Sequence, residues 1–298
     1  MRKIFADTVI KLFSQKNCFF LTGDLGFMAL EGVREAFQDR FINCGVAEQN
    51  MIGIAAGLAK ESFDVFVYSI APFCYARPFE QIRNNLALTS LPVCLVGNGG
   101  GYAYGHMGPS HHALEDCAAL GSLGLKCLVP AFDDDVESLI LAARTGPVYL
   151  RLGYDEGPKK RRIPLYSQWR CLLAGSYGTL VALGPLAGLA WSVLADIPLE
   201  QRPSLWAVTE LPIIDLPASF CEQIDPKKPL FIIEEHVKAG GLGMQILYEI
   251  ALNGLKPGSI THRFALGYPS GRYGSQTYHR KESMLDADSI KQFCRSTS

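Results

Sequence analysis

Cys44-Gly-Val-Ala-Glu48-Gln-Asn-Met-Ile-Gly53-Ile-Ala-Ala-Gly57-Leu-Ala-Lys60 is the stretch whose reading decides the rest of this chain. A strand-like segment, Arg40 to Cys44, runs into Gly45, and a helical pattern follows at once. One carboxylate, Glu48, stands at the mouth of that helix, and the turns behind it are almost all small or apolar. Gly53 and Gly57 are four residues apart, so they share a face and leave room for another backbone to approach closely. An acid kept from water by such packing has its ionised form disfavoured, and it can hold or pass a proton near neutrality. The plainer reading is an acid that complements the helix dipole, with glycines for ordinary packing. On this segment alone the plainer reading wins.

Outward from it, short β-rich runs alternate with helical patterns. Strands are expected at Cys18–Thr22, Arg40–Cys44, Val65–Ile70, Pro92–Gly97, Lys126–Val129 and Pro147–Leu152. Helices are expected near 29–38, 47–61, 78–88, 113–122 and 134–145, with Asp133 as N-cap of the last. Such alternation predicts a mostly parallel, doubly wound α/β sheet with helices on both faces. A segment rich in Gly, Pro and charge spans about 153–168, after which a second α/β block begins. Its strands are expected at Thr179–Leu183, Leu205–Val208, Leu230–Glu234 and Ile260–Phe264, with helices after Gly184-Pro185 and after Gly240. The chain therefore reads as two doubly wound domains, 1–158 and 168–298.

With 298 residues, 48% of them hydrophobic, both domains can build real cores. A formal net charge of −1 argues against a general nucleic-acid or anionic-membrane binder. The basic cluster Lys159-Lys-Arg-Arg162 lies between Gly157-Pro158 and Pro164 and reads as a solvated linker. Nine cysteines, an odd number without Cys-x-x-Cys spacing, read as reduced thiols, which suits a cytoplasmic location. The apolar start, Phe5 to Phe13, is interrupted by Asp7 and Lys11, and no run approaches membrane-spanning length.

Glu48, Met51, Gly53, Ala55 and Gly57, as Glu-x-x-Met-x-Gly-x-Ala-x-Gly, resemble the pyrimidine-binding domain of transketolases, which use thiamine diphosphate. The same family resemblance continues in Arg77-Pro-Phe-Glu-Gln-Ile-Arg-Asn84, Gly108-Pro-Ser-His111-His-Ala-Leu-Glu-Asp116 and Gly146-Pro-Val-Tyr-Leu-Arg151. Glu234-Glu-His-Val-Lys-Ala-Gly-Gly-Leu-Gly243 and Gly274-Ser-Gln-Thr-Tyr-His-Arg280 resemble the transketolase C-terminal domain. The resemblance covers nearly the whole chain, with its motifs in the family's order.

The resemblance implies roles for particular residues. Glu48 would hydrogen-bond a ring nitrogen of the cofactor's aminopyrimidine, promoting the tautomer that deprotonates the thiazolium C2 carbon. Phe73, counted back from Arg77, would stack on the pyrimidine, with Tyr75 as its rival, and Arg77 itself would border that pocket. Asp24 would approach the cofactor across a subunit boundary. His111 would reach the reaction centre as donor or proton shuttle, with His112 in support. Arg151 matches an arginine that contacts substrate phosphate, and a structural ion pair is an equal alternative. Tyr102, Tyr104 and His106, in the glycine-rich loop from Gly99, are candidate substrate contacts or parts of a mobile surface loop.

Two departures bear on substrate. Gly99 stands where transketolases carry a histidine, and Met107 where they carry an acid, with His106 in place of a second acid. The cofactor half of the site thus matches while the substrate half is altered, which points to a modified sugar. Gly23-Asp24-Leu25 with Asn50 superficially has magnesium-site spacing. Leu25 replaces the second glycine, and Asn50 belongs to the Glu48 helix, so no metal ligands are assigned to this chain. The expectation is a C-terminal-half subunit whose N-terminal-half partner holds the diphosphate and Mg2+, assembled as a heterotetramer. The rivals are a decarboxylating acyl transferase, a 2-oxo-acid dehydrogenase beta-like subunit, and a non-catalytic scaffold of the same fold.

Overall fold

Runs such as Cys18–Thr22 and Val93–Asn98 are apolar almost without alternation, which suits parallel strands covered on both faces. The computed structural model, which describes residues 1–26, 29–143, 145–159 and 162–294, places them so. In chain order the first part runs α1 (Arg2–Phe13), β1 (Cys18–Thr22), α2 (Glu31–Phe37), β2 (Phe41–Asn43), α3 (Glu48–Lys60), β3 (Asp64–Ile70) and α4 (Ala71–Tyr75). It continues with α5 (Phe79–Gln81), which passes into a π-helical turn over Ile82–Ala87, then β4 (Val93–Asn98), α6 (Asp116–Gly121), β5 (Lys126–Leu128), α7 (Asp135–Ala142) and β6 (Val148–Leu152). The second part holds β7 (Trp169–Leu173), β8 (Thr179–Leu183), α8 (Pro185–Leu194), β9 (Ser204–Val208), β10 (Glu210–Leu211) and α9 (Ala218–Cys221). It ends with β11 (Pro229–Ile233), α10 (Leu242–Leu252), β12 (Ser259–Arg263), α11 (Gln276–Glu282) and α12 (Ala287–Lys291).

Two sheets result, ordered β10-β5-β6-β4-β3-β1-β2 and β12-β11-β8-β9-β7. All pairings are parallel except β10 on β5 and β7 on β9, which lie at the sheet edges. Every strand expected from sequence is present within a residue or two at each end. The differences are local. Helix α1 was not anticipated, although Phe5, Val9 and Phe13 recur at helical spacing and are fully buried. Helix α6 starts at Asp116 rather than near Ala113, because Ala113 is held extended by a bridge to Gly101. Asp133 does not cap α7; Asp135 instead accepts the backbone N–H groups of Ala131 and Phe132 at 3.0 and 3.1 Å.

The passage between sheets falls where the charged segment lies, but the two halves are not insulated. Strand β10, from the second half, pairs with β5 through Glu210↔Leu128 and Leu211↔Cys127. One apolar cluster runs from Leu21 and Ile52 through Tyr149 to Val181, Trp206 and Ile232, so both sheets share a core. Lys159 and Arg162 are exposed, as a solvated linker requires, while Lys160 and Arg161 lie outside the described residues. Among the described residues no helix is long and apolar enough to cross a membrane.

Candidate functional site

The carboxyl ends of β4, β3, β1 and β2 lie side by side, and the chain reverses its winding direction between β1 and β3, the position where open α/β sheets bind ligands. Gly23 follows β1 there, and a Cβ on it would sit 3.8 Å from the Glu48 carboxylate, so a bare backbone passes beneath that side chain. Gly45 takes a left-handed φ of 71°, which turns the chain from β2 into α3. Glu48 thereby becomes the first residue of α3 and is only 4% exposed.

Its surroundings are not the purely apolar ones expected. Arg77 Nη1 donates to Glu48 Oε1 at 2.5 Å. The same guanidinium lies over the Phe73 ring, its carbon 3.7 Å from the centroid. The Phe73 ring meets the His111 ring edge-on at 5.1 Å, and His111 in turn stands 5.9 Å from the Tyr104 ring. The Tyr104 hydroxyl accepts from Asn98 Nδ2 at 2.8 Å, and the Ser110 hydroxyl contacts His111 Nδ1 at 2.9 Å. Glu48, Arg77, Phe73, His111 and Tyr104 are thus one continuous cluster. Tyr75 is turned away into the core, 3% exposed, with its hydroxyl donating to Glu115 at 2.6 Å. Of the two aromatic candidates, Phe73 is the one whose ring joins the Glu48 cluster.

Gly99 has a structural consequence. It adopts a left-handed φ of 78°, and a Cβ there would run into the Tyr104 ring. The space left by the missing side chain at 99 is filled by that phenol. Burial pushes the Tyr104 hydroxyl above its ordinary value, so it stays protonated at neutral pH. Asn98, which steadies it, was not anticipated; a polar residue closing an apolar strand was the available signal.

Three other expected site residues have different surroundings. Arg151 is 4% exposed: Nε donates to Asp116 Oδ2 at 2.8 Å, and Nη2 to the Ala113 and Glu235 carbonyls at 2.7 and 2.9 Å. Its pairing with Asp116 is the ion pair that stood as the structural alternative. His106 is exposed on the outer turn with Met107, itself 57% exposed, away from the Glu48–His111 cluster. Asp24 is exposed, with its carboxylate receiving Asn43 Nδ2 at 3.0 Å.

His112 supports the site by holding its loop. Its Nε2 contacts the Gly105 carbonyl and its Nδ1 the Tyr268 hydroxyl, both at 2.8 Å, and its ring lies 5.0 Å from that of His279. Burial lowers both histidines below the ordinary 6.5. A lowered folded-state value means the unfolded chain binds protons first. Stability is therefore full above pH 6.5 and falls as pH drops below it, by at most about 1.4 kcal/mol per pH unit for each ring. Urea midpoints should fall between neutral pH and pH 5.5, roughly one unit below that reference, and the fall should shrink in His112→Gln.

The C-terminal motifs turn out to be joints. Glu235 binds Arg280, accepts the Tyr102 backbone N–H at 2.6 Å and accepts Gln276 Nε2 at 2.9 Å. Arg280 also pairs with Glu156 at 2.7 Å, so the glycine-rich loop is tied to the second half. Glu234 accepts the backbone N–H groups of Leu242 and Gly243 at 2.7 and 2.9 Å, capping α10. Asp116, Cys117 and His236 come together, but Asp116 is neutralised by Arg151, and both His236 nitrogens meet backbone groups. They read as a structural set.

A planar heteroaromatic ring needs one π face and one carboxylate, and Phe73 and Glu48 offer both, with the Arg77 side chain now lying between them. Gly53 and Gly57 lie on an exposed face of α3 where an added Cβ would meet nothing within 4 Å, so no described part of this chain packs closely on them.

Residues 1–158 match the family model of the transketolase pyrimidine-binding domain. An apulose-4-phosphate transketolase subunit of Phocaeicola vulgatus is 30% identical over 85% of this chain and 84% of its own length. A putative transketolase C-terminal section of Methanocaldococcus jannaschii is 31% identical over 97% of this chain and 93% of its own. Among solved structures, a split gene transketolase described as an inactive beta4 tetramer superposes with a TM-score of 0.76 at 23% identity, over 98% of this chain and 95% of that one, a likeness of fold.

Proposed function

This chain belongs to the transketolase family, and from that premise we propose that it is the C-terminal-half subunit of a two-chain, thiamine-diphosphate-dependent enzyme. Its reaction is the transfer of a two-carbon ketol unit between sugars. The observation that carries this reading is the cluster of Glu48, Phe73 and His111 at the carboxyl ends of the strands. When bound, the cofactor supplies the electron sink for breaking and forming the carbon–carbon bond. Phe73 offers the pyrimidine a ring face, and Glu48 presents a carboxyl to a pyrimidine nitrogen from a nearly water-free position. His111, beside Phe73, donates a proton to oxygen as negative charge develops on the substrate carbonyl.

Diphosphate and Mg2+ fall to an N-terminal-half partner subunit. The open glycine face of α3 supports such a partner, as do relatives named as a transketolase subunit or a C-terminal section. The assembly we infer is a heterotetramer in the cytoplasm, a reducing compartment that suits nine cysteines outside disulfides. The segment 1–158 serves as the pyrimidine half, and 168–298 as the domain that braces the loop bearing His111.

The substrate side departs from ordinary transketolases. The Tyr104 phenol fills the space beside Gly99, and Met107 offers no carboxylate. Two relatives are named for apulose 4-phosphate, which fits a sugar other than the usual pentose phosphates. Losing one hydrogen-bond partner for a substrate hydroxyl costs about 1–3 kcal/mol, roughly fivefold to 150-fold. With an N-terminal-half partner, kcat/KM for xylulose 5-phosphate and ribose 5-phosphate should lie below about 10⁴ M⁻¹s⁻¹. A higher value overturns the altered-substrate reading. A decarboxylating activity is the second reading, because 1-deoxy-D-xylulose-5-phosphate synthase of Methylacidiphilum infernorum is 27% identical over 85% of this chain, though over only 42% of its own length. Consumption of pyruvate would establish that reading in place of ketol transfer.

A further inference from the structure

Arg77 occupies the place that the proposed function gives to the pyrimidine ring. Its guanidinium lies over the Phe73 ring, with 3.7 Å from the guanidinium carbon to the ring centroid, and it donates to Glu48 Oε1 at 2.5 Å. A guanidinium and an aminopyrimidine share the features that such a cleft reads. Both are planar and delocalised, and both offer an N–H in the plane to a carboxylate while stacking a face on an aromatic ring. Two planar groups cannot lie on the same face of Phe73 and bond the same carboxylate oxygen together.

We infer that Arg77 is a built-in stand-in for the cofactor's aminopyrimidine, filling the Phe73–Glu48 cleft until the ring displaces it. This rests on the reading of Phe73 and Glu48 as the pyrimidine site. The contact is made to be broken. The Arg77 side chain is 42% exposed, so it can swing into solvent without repacking the core. Its pairing is of the partly exposed kind that is held weakly and screened by salt. Its backbone stays anchored while the side chain moves, because Ala76 continues the helical turn from Pro72 and the Arg77 carbonyl receives Gln49 Nε2 at 3.4 Å.

Two benefits follow for a half-site. The buried Glu48 carboxylate is never left without a partner, which would otherwise cost stability in the solitary subunit. The competent, vacated cleft is also a minor state, so apparent affinity falls by the fraction of time the cleft is open. Loading therefore favours the assembled enzyme, where diphosphate contacts from the partner offset the displacement.

The test uses the full chain without partner and thiamine diphosphate with Mg2+ as the probe, followed by ligand-observed NMR. Arg77→Met keeps the length and apolar stem but loses the planar charge. It should bind the probe about tenfold more tightly than the native chain, the factor expected if the open cleft is about one-tenth populated. Methylguanidinium should compete with the probe in Arg77→Met. Binding by Arg77→Met no tighter than native overturns the inference while leaving the Glu48 reading intact. Tighter binding that is not lost in Glu48→Gln/Arg77→Met overturns the pyrimidine-site reading itself, and the inference with it. Circular dichroism establishes that each variant is folded before binding is scored.

Discussion

Glu48→Gln should leave folding and assembly intact while slowing deprotonation of the cofactor's C2 carbon by about 10²–10⁴-fold, the usual weight of a positioned acid–base group. Gln matches Glu in shape, and Glu48 sits at the first turn of α3 with 4% exposure, so the pocket has no room for a large rearrangement. The amide still meets the pyrimidine edge but cannot exchange a proton with a ring nitrogen. The ion pair to Arg77 is lost as well; with Arg77 42% exposed, that loss costs little. Hydrogen–deuterium exchange at C2, followed by NMR in the complex with an N-terminal-half subunit, reads the step directly. An unchanged exchange rate would remove Glu48 from the chemistry.

Asp116→Ala should be the most damaging single change to stability, at about 3–5 kcal/mol, because it strips a buried guanidinium of its counter-charge. Asp116 is fully buried, and its Oδ2 accepts from Arg151 Nε and from the Tyr149 hydroxyl, each at 2.8 Å. Without it Arg151 keeps only carbonyl partners, which do not neutralise its charge. The double variant Asp116→Ala/Arg151→Met should be more stable than Asp116→Ala alone, since no lone charge then remains inside. Urea unfolding of the three chains measures this. Absence of rescue would show that the Arg151 guanidinium is not an uncompensated buried charge in the Asp116 variant.

The sheet architecture was legible because its signals are local. Continuous apolar runs such as Leu180 to Leu183, bounded by Gly178 and Gly184, have few other uses than doubly covered strands. What escaped was set by distance along the chain. Strand β10 is two residues long and exists only because β5 offers it an edge. Arg280 and Glu156 are 124 residues apart, and no spacing rule links them. The site divides the same way. Glu48, Phe73, Arg77, His111 and Tyr104 were found from motifs and do converge. Arg151 was read at the right end of the right strand, yet Asp116, on the neighbouring α6, captures its side chain. That choice between solvent and core is made by packing. The pairing of Arg77 with Glu48 is likewise a meeting, between the turn after α4 and the start of α3, that no local pattern announces.

The central claim, a half-site built on Glu48 and Phe73 that needs a partner to hold its cofactor, is tested most directly by calorimetry. Thiamine diphosphate with Mg2+ is titrated into the chain alone and into the chain mixed with an N-terminal-half transketolase subunit. Ordering a flexible cofactor costs several kcal/mol of lost freedom, about 4 kcal/mol or more, which stacking on Phe73 and one carboxylate contact do not offset. The chain alone should bind weakly and without a defined stoichiometry, whereas the mixture should bind tightly with one cofactor per pair of chains. Tight, stoichiometric binding by the chain alone would contradict the account.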